Sequence, residues 1–233
     1  MKKIIIANWK LNPVTVAEAK KLASKIKQDS PHTVVLCPPT VFLSLVAYPN
    51  LGAQDVFWIN KGPHTGQTSS LQLKSLGVKY CIVGHSEMRT LGDTNEMVRE
   101  KVLALLDAKI TPIVCVGYGT TMEEDDLEVI DVLRAQLTES LRGVPGDKII
   151  VAYEPVWAIS SGNPYATKKM ATPEHAEKIT IFIKTKYDVT KVLYGGSVTS
   201  VNSSHFLEQP HIDGLLVGGA SLLPDDFNKI IAA

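Results

Sequence analysis

The sequence predicts an α/β protein built as a closed (β/α)8 barrel, eight parallel strands inside a ring of helices. Three observations carry that prediction. Short β-branched runs recur eight times along the 233 residues. Each run is apolar throughout, without polar alternation, which is the pattern of parallel strands covered on both faces. Helix-like stretches separate the runs, and eight strand–helix pairs suit a fold of about 250 residues.

In chain order the strand candidates are 3–7 (KIIIA), 33–37 (TVVLC), 51–54 (LGAQ) and 80–83 (YCIV), then 113–116 (IVCV), 149–153 (IIVAY), 191–194 (KVLY) and 214–217 (GLLV). Among the helices, 95–106 places Val98, Val102, Leu105 and Leu106 at helical spacing. Thr172-Pro173-Glu174 supplies an N-cap residue, a proline at the first helical position and a first-turn acid. A last helix is expected over 224–231. An open doubly wound sheet is the competing architecture, but no G-x-G-x-x-G follows the first strand. No linker or low-complexity segment breaks the pattern, so residues 1–233 read as one domain.

Composition narrows the function. Lysine plus arginine and aspartate plus glutamate both number 24, a formal net charge of zero. That argues against bulk electrostatic binding to nucleic acid or an anionic membrane, while leaving room for a local basic pocket. There is no apolar run of about 18 residues and no signal-peptide-like series at the start. The three cysteines, Cys37, Cys81 and Cys115, are scattered and lie in apolar segments, as buried thiols of a reducing compartment would. A soluble, cytoplasmic protein is expected.

Polar residues at the C-terminal ends of barrel strands read as chemistry. The first strand is followed by Asn8 and Lys10, which extended geometry would turn to the same side. A lysine there is either solvated or functional, and the spacing alone does not decide. Strand four leads into Gly84-His85-Ser86-Glu87, where Ser86 is the expected helix cap. A helix N-terminus beside His85 would disfavour its charged form. Strand six ends at Glu154, before Pro155, so that the carboxylate stands at the strand's mouth as a partnered ion or a base. The segment 155–162 (PVWAISSG) mixes bulky and small residues, as a hinged cover would. Gly195-Gly196-Ser197 and Gly218-Gly219 follow strands seven and eight, where two adjacent turns can aim N–H groups at one anion.

Taken together these stretches resemble the triosephosphate isomerase family: Asn8-Trp9-Lys10-Leu11-Asn12, Val83-Gly84-His85-Ser86-Glu87, Ala152-Tyr153-Glu154-Pro155-Val156-Trp157-Ala158-Ile159, Tyr194-Gly195-Gly196-Ser197-Val198 and Leu216-Val217-Gly218-Gly219-Ala220-Ser221-Leu222. They lie in the family's order and span the chain. The resemblance implies a general base at Glu154, a neutral electrophile at His85 and a positive charge at Lys10. It implies a substrate hydrogen bond from Asn8 and phosphate binding by Ser160, Ser197, Gly218 and Gly219. It further implies a phosphorylated triose substrate, no cofactor or metal, and a homodimer that docks Gly62-Pro63-His64-Thr65-Gly66-Gln67 into a second copy.

The chain departs from the family's usual pattern at Ser160-Ser161, where glycine and threonine are usual, and in a longer segment after Gly162 that contains Lys168 and Lys169. Gln67 and Tyr118 each stand in place of a glutamate, and Met88 in place of an arginine. Two other readings remain: a different phosphate-binding barrel, and a family member kept for binding without turnover. The first gives no reason to combine Asn8, Lys10, His85 and Glu154, and the second no reason to keep all the reacting groups.

Overall fold

A computed structural model describes residues 2–121, 125–158 and 170–233. Its eight strands are β1 (Ile4–Asn8), β2 (Thr33–Cys37), β3 (Gly52–Ala53), β4 (Tyr80–Val83), β5 (Thr111–Val116), β6 (Ile150–Tyr153), β7 (Val192–Tyr194) and β8 (Gly214–Val217). All paired neighbours run parallel, in the order β2-β1-β8-β7-β6-β5-β4-β3. The two ends of that order meet at a single bridge, Leu36 to Leu51, backed by the Leu36 N–H on the Asn50 carbonyl at 3.0 Å. The barrel expected from the sequence is therefore present, with its seam between β2 and β3.

Alternate residues of each strand fill two layers, which is why no strand shows a polar face. Ile4 and Ile6 of β1 point inward with Cys37, Ile82, Ile113 and Leu216. Ile5 and Ala7 point outward into the layer beneath the helices. The helices are α1 (Val16–Lys25), α2 (Ser70–Ser75), α3 (Ser86–Thr90), α4 (Asn95–Asp107), α5 (Asp126–Ser140), α6 (Pro173–Tyr187), α7 (Ser203–Leu207) and α8 (Pro224–Ile230). Val98, Val102 and Leu105 form the buried stripe of α4, as the spacing predicts. Thr172 caps α6 by accepting the His175 N–H, with Pro173 at the first turn.

The strict strand–helix alternation fails in two places. After β2 the described chain makes only a 3-10 turn at Thr40–Phe42, in a connection that Pro38 and Pro39 open and Pro49 closes. After β4 there are two helices, α3 and α4.

Lys101 on α4 is 3% exposed, and its Nζ lies 2.8 Å from Asp55 Oδ1 and 2.7 Å from Asp93 Oδ2. Burial pushes the Asp55 carboxyl upward, against the pull of Lys101. This pairing fixes the chain after β3 to the turn between α3 and α4. The three cysteines are free and buried, as expected, and burial pushes each thiol up. Among the described residues, no helix is long and apolar enough to cross a membrane.

Candidate active site

A small cavity opens at the C-terminal mouth of the barrel. Asn8 and Lys10 reach it after β1, His85 after β4 and Glu154 after β6. Gly195, Gly196 and Ser197 border it after β7, and Gly218 and Gly219 after β8. Seven of the eight expected site residues are thus brought together; Ser160 lies outside the described residues, as do Ser161, Lys168 and Lys169 and the second half of the expected cover.

Glu154 is 2% exposed. Its backbone is fixed on both sides: the Glu154 N–H donates to the Val116 carbonyl at 2.7 Å, and the Gly195 N–H to the Tyr153 carbonyl at 2.8 Å. Glycine is required beside it for room. A Cβ at Gly195 would lie 2.9 Å from Glu154 Cγ, and one at Gly117, where φ is +115°, would lie 2.3 Å from the Glu154 carbonyl oxygen. Neither Gly195 nor Gly196 has a left-handed φ, so these glycines admit neighbours and do not merely permit a turn.

The carboxylate is met by two donors. Oε1 lies 3.2 Å from His85 Nε2, and Oε2 accepts the Ser86 N–H at 3.3 Å. His85 is itself the N-cap of α3, in place of the expected Ser86, because its Nδ1 accepts the Glu87 N–H at 3.2 Å. That bond assigns the proton of the neutral ring to Nε2, pointing at Glu154. Burial alone would lower the His85 pKa, but the charge and hydrogen bond of Glu154 outweigh it and raise the value. A second ring proton would still have to displace the Glu87 N–H from Nδ1, so the local geometry accommodates the neutral form.

Lys10 does not continue the strand. Its φ of +53° turns the chain, so Asn8 and Lys10 do not share a side by extended alternation, contrary to expectation. The Asn8 side-chain oxygen stabilises that turn by accepting the Lys10 N–H at 3.0 Å. Lys10 Nζ then reaches Glu87 Oε1 at 2.8 Å, and its Cε passes beside Gly218. The Ser197 N–H donates to the Ala158 carbonyl at 2.9 Å, which joins the turn after β7 to the chain after β6.

Three supporting residues were not evident in the sequence. Glu87 pairs with Lys10 across 77 positions of sequence. Arg89 is buried under the β4 turn and donates to the Gly84 carbonyl at 2.9 Å and to Asn95 Oδ1 at 2.7 Å. Gln54 donates to the Lys10 carbonyl at 2.9 Å and the Cys37 carbonyl at 2.8 Å. Glu87 stands in the quoted stretch after strand four, but nothing local there announces Lys10 as its partner, and Arg89 and Gln54 give no local signal of their contacts.

The arrangement offers a buried base, a neutral N–H donor, a cation and two glycine-bordered turns around one small space. A sequence-family model described as Triosephosphate isomerase matches residues 3–233. Similar proteins include the triosephosphate isomerase of Thermoanaerobacter sp. (strain X514), 42% identical over 98% of each chain. That of Caldanaerobacter subterraneus subsp. tengcongensis is 40% identical over 98% of each chain, and that of Aquifex aeolicus 36% over 99% of each.

Proposed function

The chain belongs to the triosephosphate isomerase family, and from that membership we propose how its residues divide the work of interconverting dihydroxyacetone phosphate and glyceraldehyde 3-phosphate. The protein is an isomerase acting on a phosphorylated triose in glycolysis and gluconeogenesis. Glu154 is the general base: it takes a proton from the carbon beside the carbonyl and returns it to the neighbouring carbon. His85, as the neutral Nε2–H tautomer, donates to the substrate oxygens and moves protons between them. Lys10 supplies positive charge to the developing oxyanion and the phosphate, and Asn8 hydrogen-bonds the substrate. Gly218, Gly219, Ser197 and Ser160 bind the phosphate.

The observation that carries this reading is the contact of a nearly fully buried Glu154 with His85 Nε2 in the same cavity as Lys10. A base that abstracts a proton from carbon must be held close and kept dry. Preorganised donors at the enediolate oxygens are worth roughly 2.7–4 kcal/mol each in comparable sites. With Oε1 and Oε2 already engaged by His85 and Ser86, the carboxylate must release at least one donor to face carbon.

A homodimer is the proposed assembly. Leu11, Val14, Val41 and Leu91 are exposed apolar residues on loops at the mouth side, the same side as the 62–67 loop. The Phe57 and His64 rings meet at 4.8 Å, tilted by 48°, which ties that loop to the chain after β3. A cytoplasmic location is supported by the three unpaired thiols. The reading of 1–233 as one domain is supported by β1, which pairs with both β2 and β8.

The test is an assay of glyceraldehyde 3-phosphate isomerisation with wild type and Glu154→Gln at matched concentration. Rapid wild-type turnover that collapses in a folded variant supports the base; equal activity in both removes Glu154 from that role.

A further inference from the structure

The residue before the base is tied to a polar chain that no reaction step above uses. Tyr153 is 1% exposed and points outward beneath the helices, while Glu154 enters the cavity. Its hydroxyl lies 2.8 Å from Nε2 of His175 on α6. His175 Nδ1 lies 2.8 Å from Asp126 Oδ1 at the start of α5, and Asp126 Oδ2 accepts from Lys178 Nζ at 2.9 Å. The His175 ring also meets Trp157 edge-on at 6.1 Å. One imidazole therefore touches residues on both sides of Glu154.

The directions of these bonds follow from donor counting. Hydrogen bonds from Lys178 and His175 hold the Asp126 carboxyl below its usual range, so it is an anion and can only accept. In the neutral ring Nδ1 of His175 then carries the proton, and Nε2 accepts from the Tyr153 hydroxyl. The Lys178–Asp126 pair between α6 and α5 lies at the surface and is worth little to stability. What the imidazole adds is a fixed acceptor for a buried hydroxyl one residue from the base.

We propose that His175, oriented by Asp126, is a positioning residue for Glu154, acting through the Tyr153 hydroxyl and the Trp157 ring. It touches no substrate. It narrows the range of backbone positions from which the carboxylate approaches carbon, a range in which misplacement by an ångström is costly. The inference rests on Glu154 being the base.

The test is a double-mutant cycle on kcat and KM with His175→Ala, Tyr153→Phe and the pair, alongside Glu154→Gln. Each single change should lower kcat about 10-fold with KM moving far less, and the pair should lose no more than Tyr153→Phe alone. His175→Gln, whose amide oxygen can accept the Tyr153 proton, should restore kcat to within about 3-fold of wild type. In 15N spectra, the wild-type His175 ring should carry its proton on Nδ1, and Asp126→Ala should admit the Nε2–H form while lowering kcat. Independent losses in the cycle, an effect on KM alone, or a wild-type ring protonated on Nε2 would overturn the proposal. Should Glu154→Gln keep full activity, the base assignment fails first; if that variant collapses while His175→Ala keeps its kcat, only the positioning role is lost.

Discussion

His85 Nε2 and Glu154 Oε1 stand 3.2 Å apart at the mouth of the barrel, and each has a backbone N–H from the start of α3 as its other partner: Glu87 N–H on the ring, Ser86 N–H on the carboxylate. One helix terminus therefore orients both groups.

Because the charge of Glu154 is what raises the His85 pKa against burial, Glu154→Gln should move the ring's titration to lower pH. An NMR titration of the imidazole checks this, and an unchanged or higher midpoint would contradict it. The sign for stability follows. A raised histidine pKa stabilises below its unfolded value, about 6.5, and that contribution fades as pH rises through the folded value. The stability gap between wild type and Glu154→Gln should thus narrow on going from acid to alkaline pH.

Gly195→Ala should displace the carboxylate proposed as the base, since the new Cβ meets Glu154 Cγ at 2.9 Å. A loss of about 100-fold in kcat is expected with a change in thermal midpoint of only a few degrees. Kinetics and calorimetry on the same preparation separate the two effects.

Lys101→Met should be far more damaging to stability than to chemistry. It removes the cation between Asp55 and the nearly buried Asp93, and breaking such a pair costs about 3–5 kcal/mol. Asp55 is already pushed upward by burial, and without Lys101 it should rise further. An acid with a raised folded pKa favours the folded state as pH falls, so the variant should recover part of its loss between pH 7 and pH 5. Urea denaturation at the two pH values measures it.

Thr65→Arg at the tip of the 62–67 loop should dissociate the proposed dimer by placing a charge in its apolar contact. Sedimentation velocity at micromolar protein should show a smaller species than wild type. An unchanged sedimentation coefficient would mean that this loop is not at the interface.

The strands were legible because both their faces are buried, which writes an unbroken apolar run at each of eight positions. Glu154 and His85 were legible because they terminate such runs. His175 was not: at the third position of α6 it reads as part of a capped first turn, and its partner Asp126 lies 49 residues away. Lys101 reads as a solvent-facing helix lysine, since nothing near it in sequence announces two aspartates above it. The helix missing after β2 could have been suspected from Pro38, Pro39 and Pro49, but the regularity of the other units obscured it.

The seam of the barrel gives the Gln54 amide an unusual office. Where β2 and β3 share a single bridge, a side chain spans the gap to the carbonyls of Cys37 and Lys10, standing in for rungs that the backbone does not supply. Breathing of the ring should begin at this joint, so hydrogen exchange would run ahead there of the β4-β5-β6 side. Since the same amide steadies the turn that carries Lys10, the least-laddered edge of the wall is also the mounting of the lysine that lines the cavity, and slackness in one is felt in the other.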